Sequence, residues 1–135
     1  MAIFLDTGIF VALRNADDDL HERSIELMKR ALKAEFGNIF TSDYVIDEAI
    51  TTALIRTGRH DLASDLGRYI IESPRITRLW VDSDSFEATW KKFQSFADKP
   101  MSFTDCASLA LMEKNHIKQI MSFDSGFDGL APRIY

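Results

Sequence analysis

Short apolar runs alternate with longer stretches of helical spacing, and this alternation constrains the fold more than any other feature. The runs are AIFLD at residues 2–6, NIFTS at 38–42, RITRLWV at 75–81 and IKQIMSF at 117–123, with PRIY at the end as a short fifth. Apolar runs of this length suit strands buried on both faces. Between them, Thr7 or Asp6 can cap a short helix through GIFVALRN. ADDDL reads as the start of a longer helix, since acids suit a first turn, and Leu20, Ile25, Leu27, Met28, Ala31 and Leu32 carry it to about Phe36, before Gly37 and Asn38. Ser42 or Asp43 caps YVIDEAITTALIRT, which Gly58 ends. RHDLASDLGRYIIES closes at Pro74, one of Asp82, Ser83 or Asp84 caps SFEATWKKFQSFAD, and SFTDCASLALMEKNH follows. Strands alternating with helices predict a three-layer α/β fold: a mostly parallel twisted sheet of four to five strands with helices on both faces. A chain of 135 residues without repeats or linkers is expected to form a single domain over 1–135.

Charge and composition narrow the function classes. With 21 acidic against 16 basic residues the formal net charge is −5, which excludes a broadly basic, affinity-driven nucleic-acid binder. An enzyme that handles nucleic acid briefly, with metal ions offsetting its carboxylates, stays open. Cys106 is the lone cysteine and rules out an intramolecular disulfide. MAIFLDTGIF has no positive leader region, and no stretch approaches the roughly 18 apolar residues of a membrane span. The expectation is a cytoplasmic protein with no membrane association.

In parallel α/β sheets, sites form beyond the carboxyl ends of the strands, where the strand order reverses. Asp6 ends the first strand and Asp124 follows the fourth. Glu48 lies about two turns into the helix after strand two, and Asp105 in the first turn of the helix that feeds strand four. Singly, each acid has an ordinary explanation: Asp6 as a cap, Asp105 favoured by a helix dipole, Asp124 as a turn residue before Ser125-Gly126, Glu48 as a solvated helix residue. Together they compete with one functional explanation. Carboxylates gathered at one sheet edge need a counter-charge, and an all-oxygen donor set selects hard ions such as magnesium or manganese. His21, His60 and His116 are scattered on polar stretches and receive no role.

At these residues the chain resembles the PIN-domain ribonucleases, and most nearly the short single-domain VapC-type toxins. FLDTGIFVAL resembles the first motif of that family, TSDYVIDEAITTAL the second, SFTDCASLALMEKN the third and IMSFDSGFDGL the fourth, in the family's order. The resemblance implies a metal-dependent endoribonuclease that hydrolyses RNA phosphodiester bonds and leaves 5′-phosphate ends. It places Asp6, Glu48, Asp105 and Asp124 in the acidic quartet that holds Mg2+ or Mn2+, with Ser122 and Thr7 as supporting hydroxyls. Two points depart from the pattern. Asp47 beside Glu48 leaves the register of the second acid open by one residue, the spacing to AITTAL favouring Glu48. Asp128 is an extra acid, read as a support to the site. The resemblance further implies a toxin of a toxin–antitoxin pair, an antitoxin protein as partner beside the RNA substrate, and a homodimer formed through helices away from the site.

Two other classes fit the same fold: a receiver-like phosphoryl-transfer domain and a non-catalytic protein-binding module. A receiver needs an acid pair after strand one and a lysine after a late strand, and neither is present. For RNA, Arg14, Arg56, Lys99 and Lys114 are the basic residues whose sequence positions approach the motifs, although each alone reads as a solvated surface residue. Trp80 aside, the aromatics Phe86, Trp90, Phe93 and Phe96 recur at helical spacing and suit packing in a core or interface rather than base stacking.

Overall fold

The structure, a computed structural model, describes residues 1–135. Five strands form one sheet: β1 (Ala2–Leu5), β2 (Asn38–Ser42), β3 (Ile76–Leu79), β4 (Gln119–Met121) and β5 (Arg133–Ile134). All pairings are parallel and the order is β3-β2-β1-β4-β5. Six helices connect them: α1 (Thr7–Arg14), α2 (His21–Leu32), α3 (Asp43–Thr57), α4 (His60–Glu72), α5 (Ser83–Ser95) and α6 (Phe103–Lys114). The expected three-layer α/β architecture is the one observed.

The strand order fixes where a site can form. From β1 the chain moves outward to β2 and β3, then returns past β1 to β4 and β5. The order therefore reverses between β1 and β4, and the crevice beyond their carboxyl ends is the natural binding position. The register is set by apolar pairs such as Ile3 with Ile39, Leu5 with Met121, and Ile39 with Ile76. Two further ties close the sheet at this end. The Asp6 amide donates to the Met121 carbonyl at 3.0 Å, and the buried Thr41 hydroxyl donates to the Leu5 carbonyl at 2.9 Å.

Two helices are central rather than peripheral. In α1, Thr7, Ile9, Phe10, Val11 and Ala12 are buried. In α6, every residue from Asp105 to Met112 is buried, which suits its small and apolar composition. Both belong to one continuous apolar core that reaches from Ile3 to Phe127. Gly58 ends α3 in the left-handed region at φ 67° and returns its amide to Leu54, a helix stop that favours glycine. Gly67 lets α4 lie close on α3, since a Cβ there would meet Ile50 Cδ1 at 2.8 Å.

Several boundaries differ from the sequence reading. ADDDL does not open α2. Asn15 and Asp18 accept amides two residues ahead with their side chains, from Asp17 and Leu20, and this local turn chemistry competes with helix. The helix starts at His21, whose Nδ1 contacts the Ala12 carbonyl at 2.8 Å. His21 thus ties α2 to the end of α1 instead of facing solvent idly. At the other end α2 stops at Leu32, with Ala34 at φ 63°. Strands three and four are shorter than their apolar runs, and a one-turn 3-10 helix at Ser125–Phe127 follows β4.

Candidate active site

The first acid, Asp6, occupies the N-cap position of α1 but forms no side-chain capping bond there. Its Oδ2 instead accepts from the Ser122 hydroxyl at 2.6 Å. Asp6 is 6% exposed and Ser122 is fully buried. The Ser122 oxygen in turn accepts the Asp124 amide at 3.0 Å. One hydroxyl therefore joins the ends of β1 and β4 across the point where the strand order reverses.

Asp105 has two roles. It sits at the third position of α6 and completes a capping box: its Oδ2 accepts the Ser102 amide at 3.1 Å, and the Ser102 hydroxyl accepts the Asp105 amide at 3.0 Å. The carboxyl group also lines the cavity formed at the crevice. Asp124 uses Oδ1 to accept the Gly126 amide at 2.8 Å, which initiates the 3-10 turn. Asp6, Asp105 and Asp124 each keep one carboxylate oxygen free of these bonds.

Asp6, Glu48, Asp105 and Asp124 line a single cavity of about 460 Å3, together with Thr7, Ser102, Thr52, Arg56, Asp18 and Phe123 among others. Electrostatics within it match the crowding. Burial pushes the Asp6 carboxyl up to about 6; the Ser122 hydroxyl pulls it down, and the Asp105 and Glu48 carboxylates push it further up. Burial also raises Asp105, partly offset by its bonds to Ser102, and Asp124 and Glu48 add to the rise.

At the register left open between Asp47 and Glu48, Glu48 lines the cavity, whereas Asp47 is exposed to solvent on another face of α3. Asp128 departs from the expectation that it supports the site. Arg133 of β5 holds it through two contacts, at 2.7 and 3.2 Å, and it does not line the cavity. A forked cation nearby is a better partner for that carboxylate than a crowded acidic crevice. Thr52 and Asp18 were not anticipated. Thr52 is four residues beyond Glu48 and so on the same helix face, a signal that was available. Asp18 reaches the cavity from an irregular turn, which carries no periodic signal.

No three acidic, histidine or cysteine side chains already form a cluster tight enough to grip a metal ion. The donor set nonetheless fits a hydrated hard cation, because magnesium keeps several waters and needs one or two carboxylates. A second observation agrees. Thr7 is 8% exposed and lines the cavity, and its Oγ1 has no hydrogen-bond partner within the protein. An unpartnered buried hydroxyl is costly unless a ligand or water meets it.

Residues 3–131 match the PIN domain family. The chain belongs to the PIN-domain family. Among PIN relatives, it is 26% identical over 128 residues to a VapC ribonuclease of Archaeoglobus fulgidus, covering 94% of this chain and 80% of that protein. It is 27% identical over 125 residues to the 23S rRNA-specific endonuclease VapC20 of Mycobacterium tuberculosis, covering 93% and 91%. The crystal structure of that VapC20, described as a sarcin-ricin loop cleaving toxin, superposes with a TM-score of 0.82 at 29% identity, covering 95% of this chain and 94% of the other. VapBC2 of Rickettsia felis, bound to a DNA fragment from its promoter, shares the PIN fold with a TM-score of 0.68 at 13% identity, covering 99% and 98%. No helix is long and apolar enough to cross a membrane.

Proposed function

We propose that residues 1–135 act as a single PIN domain with divalent-metal-dependent endoribonuclease activity, working in the cytoplasm as the toxin of a toxin–antitoxin pair. The observation that carries this reading is the convergence of Asp6, Glu48, Asp105 and Asp124 on one cavity at the β1/β4 switch point. The VapC-type relatives support the substrate class, and ribosomal RNA is the first substrate to try because VapC20 is named for it. The same resemblance supports an antitoxin protein as partner.

Asp6, Glu48, Asp105 and Asp124 would hold Mg2+ or Mn2+ through their free oxygens. The ion, when bound, supplies charge neutralisation at the phosphodiester and activation of the attacking water. The protein's own contribution is placement. Ser122 fixes the Asp6 carboxylate at the end of β1, the capping box fixes Asp105 on α6, and the Gly126 amide fixes Asp124. Asp6, Asp105 and Asp124 are thereby oriented before substrate arrives, so that little reorganisation accompanies the reaction. Thr7 offers its unpartnered hydroxyl to a phosphate oxygen or a water in the same cavity.

The homodimer reading is supported by an aromatic surface on α5 that does not line the acidic cavity. Phe86, Trp90 and Phe93 of α5 are between 40% and 46% exposed. Phe86 and Phe93 pack on Phe103 at 5.4 and 5.9 Å between ring centres, and Trp90 stacks on Phe93 at 6.2 Å. These rings are not core, and their exposure suits a second copy.

Product chemistry tests the function. RNA incubated with the protein and manganese should yield fragments with 5′-phosphate ends, and EDTA should stop their formation. Fragments with 5′-hydroxyl ends, or cleavage indifferent to EDTA, would replace metal-assisted hydrolysis by attack of the RNA's own 2′-hydroxyl.

A further inference from the structure

The acidic cavity has a single basic residue in its lining. Arg56 lies on α3 eight residues beyond Glu48, with Thr52 midway, so the three share one helix face toward the cavity. Five carboxylates line the same space: Asp6, Asp18, Glu48, Asp105 and Asp124. Arg56 forms an ion pair with none of them. Most other arginines are occupied. Arg14 pairs with Asp65 and lies over Tyr69, Arg30 pairs with Glu35, Arg59 with Asp61, and Arg133 with Asp128. An exposed guanidinium at the rim of an acidic cavity, uncommitted to the acids beside it, is available to an anion from outside.

A second hollow adjoins the first. The loop between α1 and α2 supplies Asp18 and Leu20 to the acidic cavity and Ala16 to a neighbouring one, which Arg59 and Arg68 also line. Arg56 and Arg59 flank the tight corner at Gly58, and Arg68 follows on α4 without an ion pair. The second hollow also holds Asp61 and Asp65, which pair with Arg59 and Arg14, so Arg56 and Arg68 are the uncommitted guanidinium groups on either side of the α3–α4 corner.

We propose that Arg56 is the substrate-positioning residue of this site, holding an RNA phosphate adjacent to the scissile one, and that a single-stranded segment runs from the acidic cavity over the α3–α4 corner toward Arg68. This rests on the endoribonuclease reading. A guanidinium fork matches phosphate oxygens in two parallel hydrogen bonds. Its charge also offsets the repulsion that five carboxylates exert on an approaching polyanion. Arg56 acts in binding and placement; the acids and their ion act on the scissile bond.

The test combines cleavage kinetics with RNA binding measured by fluorescence anisotropy, using a labelled single-stranded RNA, manganese and the Asp124→Asn background for the binding arm. Arg56→Ala is expected to raise KM about tenfold with kcat nearly unchanged, and to flatten the salt dependence of log binding by about 0.7, the share of one phosphate contact on a single strand. Arg56→Lys should restore part of the slope, Arg56→Glu should weaken binding further, and Arg68→Ala should shift both readouts less in the same direction. Arg75→Ala, at the amino end of β3 and so across the sheet from the site, should change neither. Manganese calorimetry should give the same affinity for Arg56→Ala as for the wild type. A wild-type KM and salt slope in Arg56→Ala, or a loss confined to kcat or manganese affinity, overturns the assignment while the endoribonuclease reading stands. A wild-type protein that neither binds nor cuts RNA overturns both.

Discussion

The Ser122 hydroxyl donates to Asp6 Oδ2 at 2.6 Å across 116 residues of sequence, and so couples the first acidic motif to the last. The same oxygen accepts the Asp124 amide. Ser122→Ala removes the donor that pulls the Asp6 carboxyl down, so that group should titrate at still higher pH. The acid limb of the cleavage rate against pH should move upward, and the maximal rate should fall about tenfold or more. Orphaning the Asp124 amide should also cost about 1–3 kcal/mol of stability. An unmoved acid limb would show that the Ser122–Asp6 bond does not govern the ionisation that matters.

Burial and like charges raise both Asp6 and Asp105 above the usual carboxylate range, Asp6 from 3.8 to about 6. A folded-state pKa above the unfolded one means that the folded chain binds the proton more tightly. Its contribution to stability is fully present below about pH 4 and is lost as the pH rises through about 6. In EDTA the protein should therefore grow less stable between pH 5 and 7, by about 3 kcal/mol at most from Asp6 alone. Asp6→Asn should flatten that part of the profile and melt higher than the wild type at pH 7. A wild type whose melting temperature in EDTA rises over that interval would contradict the assignment.

Asp105 separates its two roles by chemistry. Asparagine keeps an acceptor for the Ser102 amide but removes the charge, so Asp105→Asn in EDTA should melt at or above the wild-type temperature. Asp105→Ala loses the reciprocal cap and should lose about 1 kcal/mol relative to Asp105→Asn. Both should fail to cut RNA. Equal melting temperatures for the two variants would show that the capping bond contributes nothing measurable.

The second motif gives a one-residue test of geometry. Glu48 lines the cavity and Asp47 faces solvent. Glu48→Gln should abolish cleavage, whereas Asp47→Asn should cut at the wild-type rate. The reverse pattern in a cleavage assay would move the second ligand by one residue.

Much of this arrangement was legible in the sequence because it is periodic or terminal. NIFTS appears as β2 at the expected residues, and the parallel sheet follows from helices between strands. The positions of Asp6 and Asp124 follow from the ends of their strands. What escaped was non-periodic. The Asn15–Leu20 turn reads as an acidic helix start because acids suit both, and only the side-chain bonds of Asn15 and Asp18 decide it. Arg14 and Arg56 looked equivalent in sequence, yet Asp65, 51 residues from Arg14, engages the first and leaves the second at the cavity. Asp128 sits among motif residues, but its fate depends on Arg133, five residues on and at the start of β5. Pairings of this kind are set by how the chain folds over itself, and local sequence carries no trace of them.

The most direct measurement of the central claim is cleavage of a panel of RNAs, including ribosomal RNA, with manganese by the wild type, Asp6→Asn, Asp124→Asn and Asp128→Asn, each verified as folded. The wild type and Asp128→Asn should cut alike, because Asp128 is held by Arg133 outside the cavity. Asp6→Asn and Asp124→Asn should be inactive, having lost charge that would hold the ion. Cleavage by Asp6→Asn and Asp124→Asn at the wild-type rate, or RNA left intact by the wild type at high enzyme, would contradict the assignment of this cavity as a metal-dependent ribonuclease site.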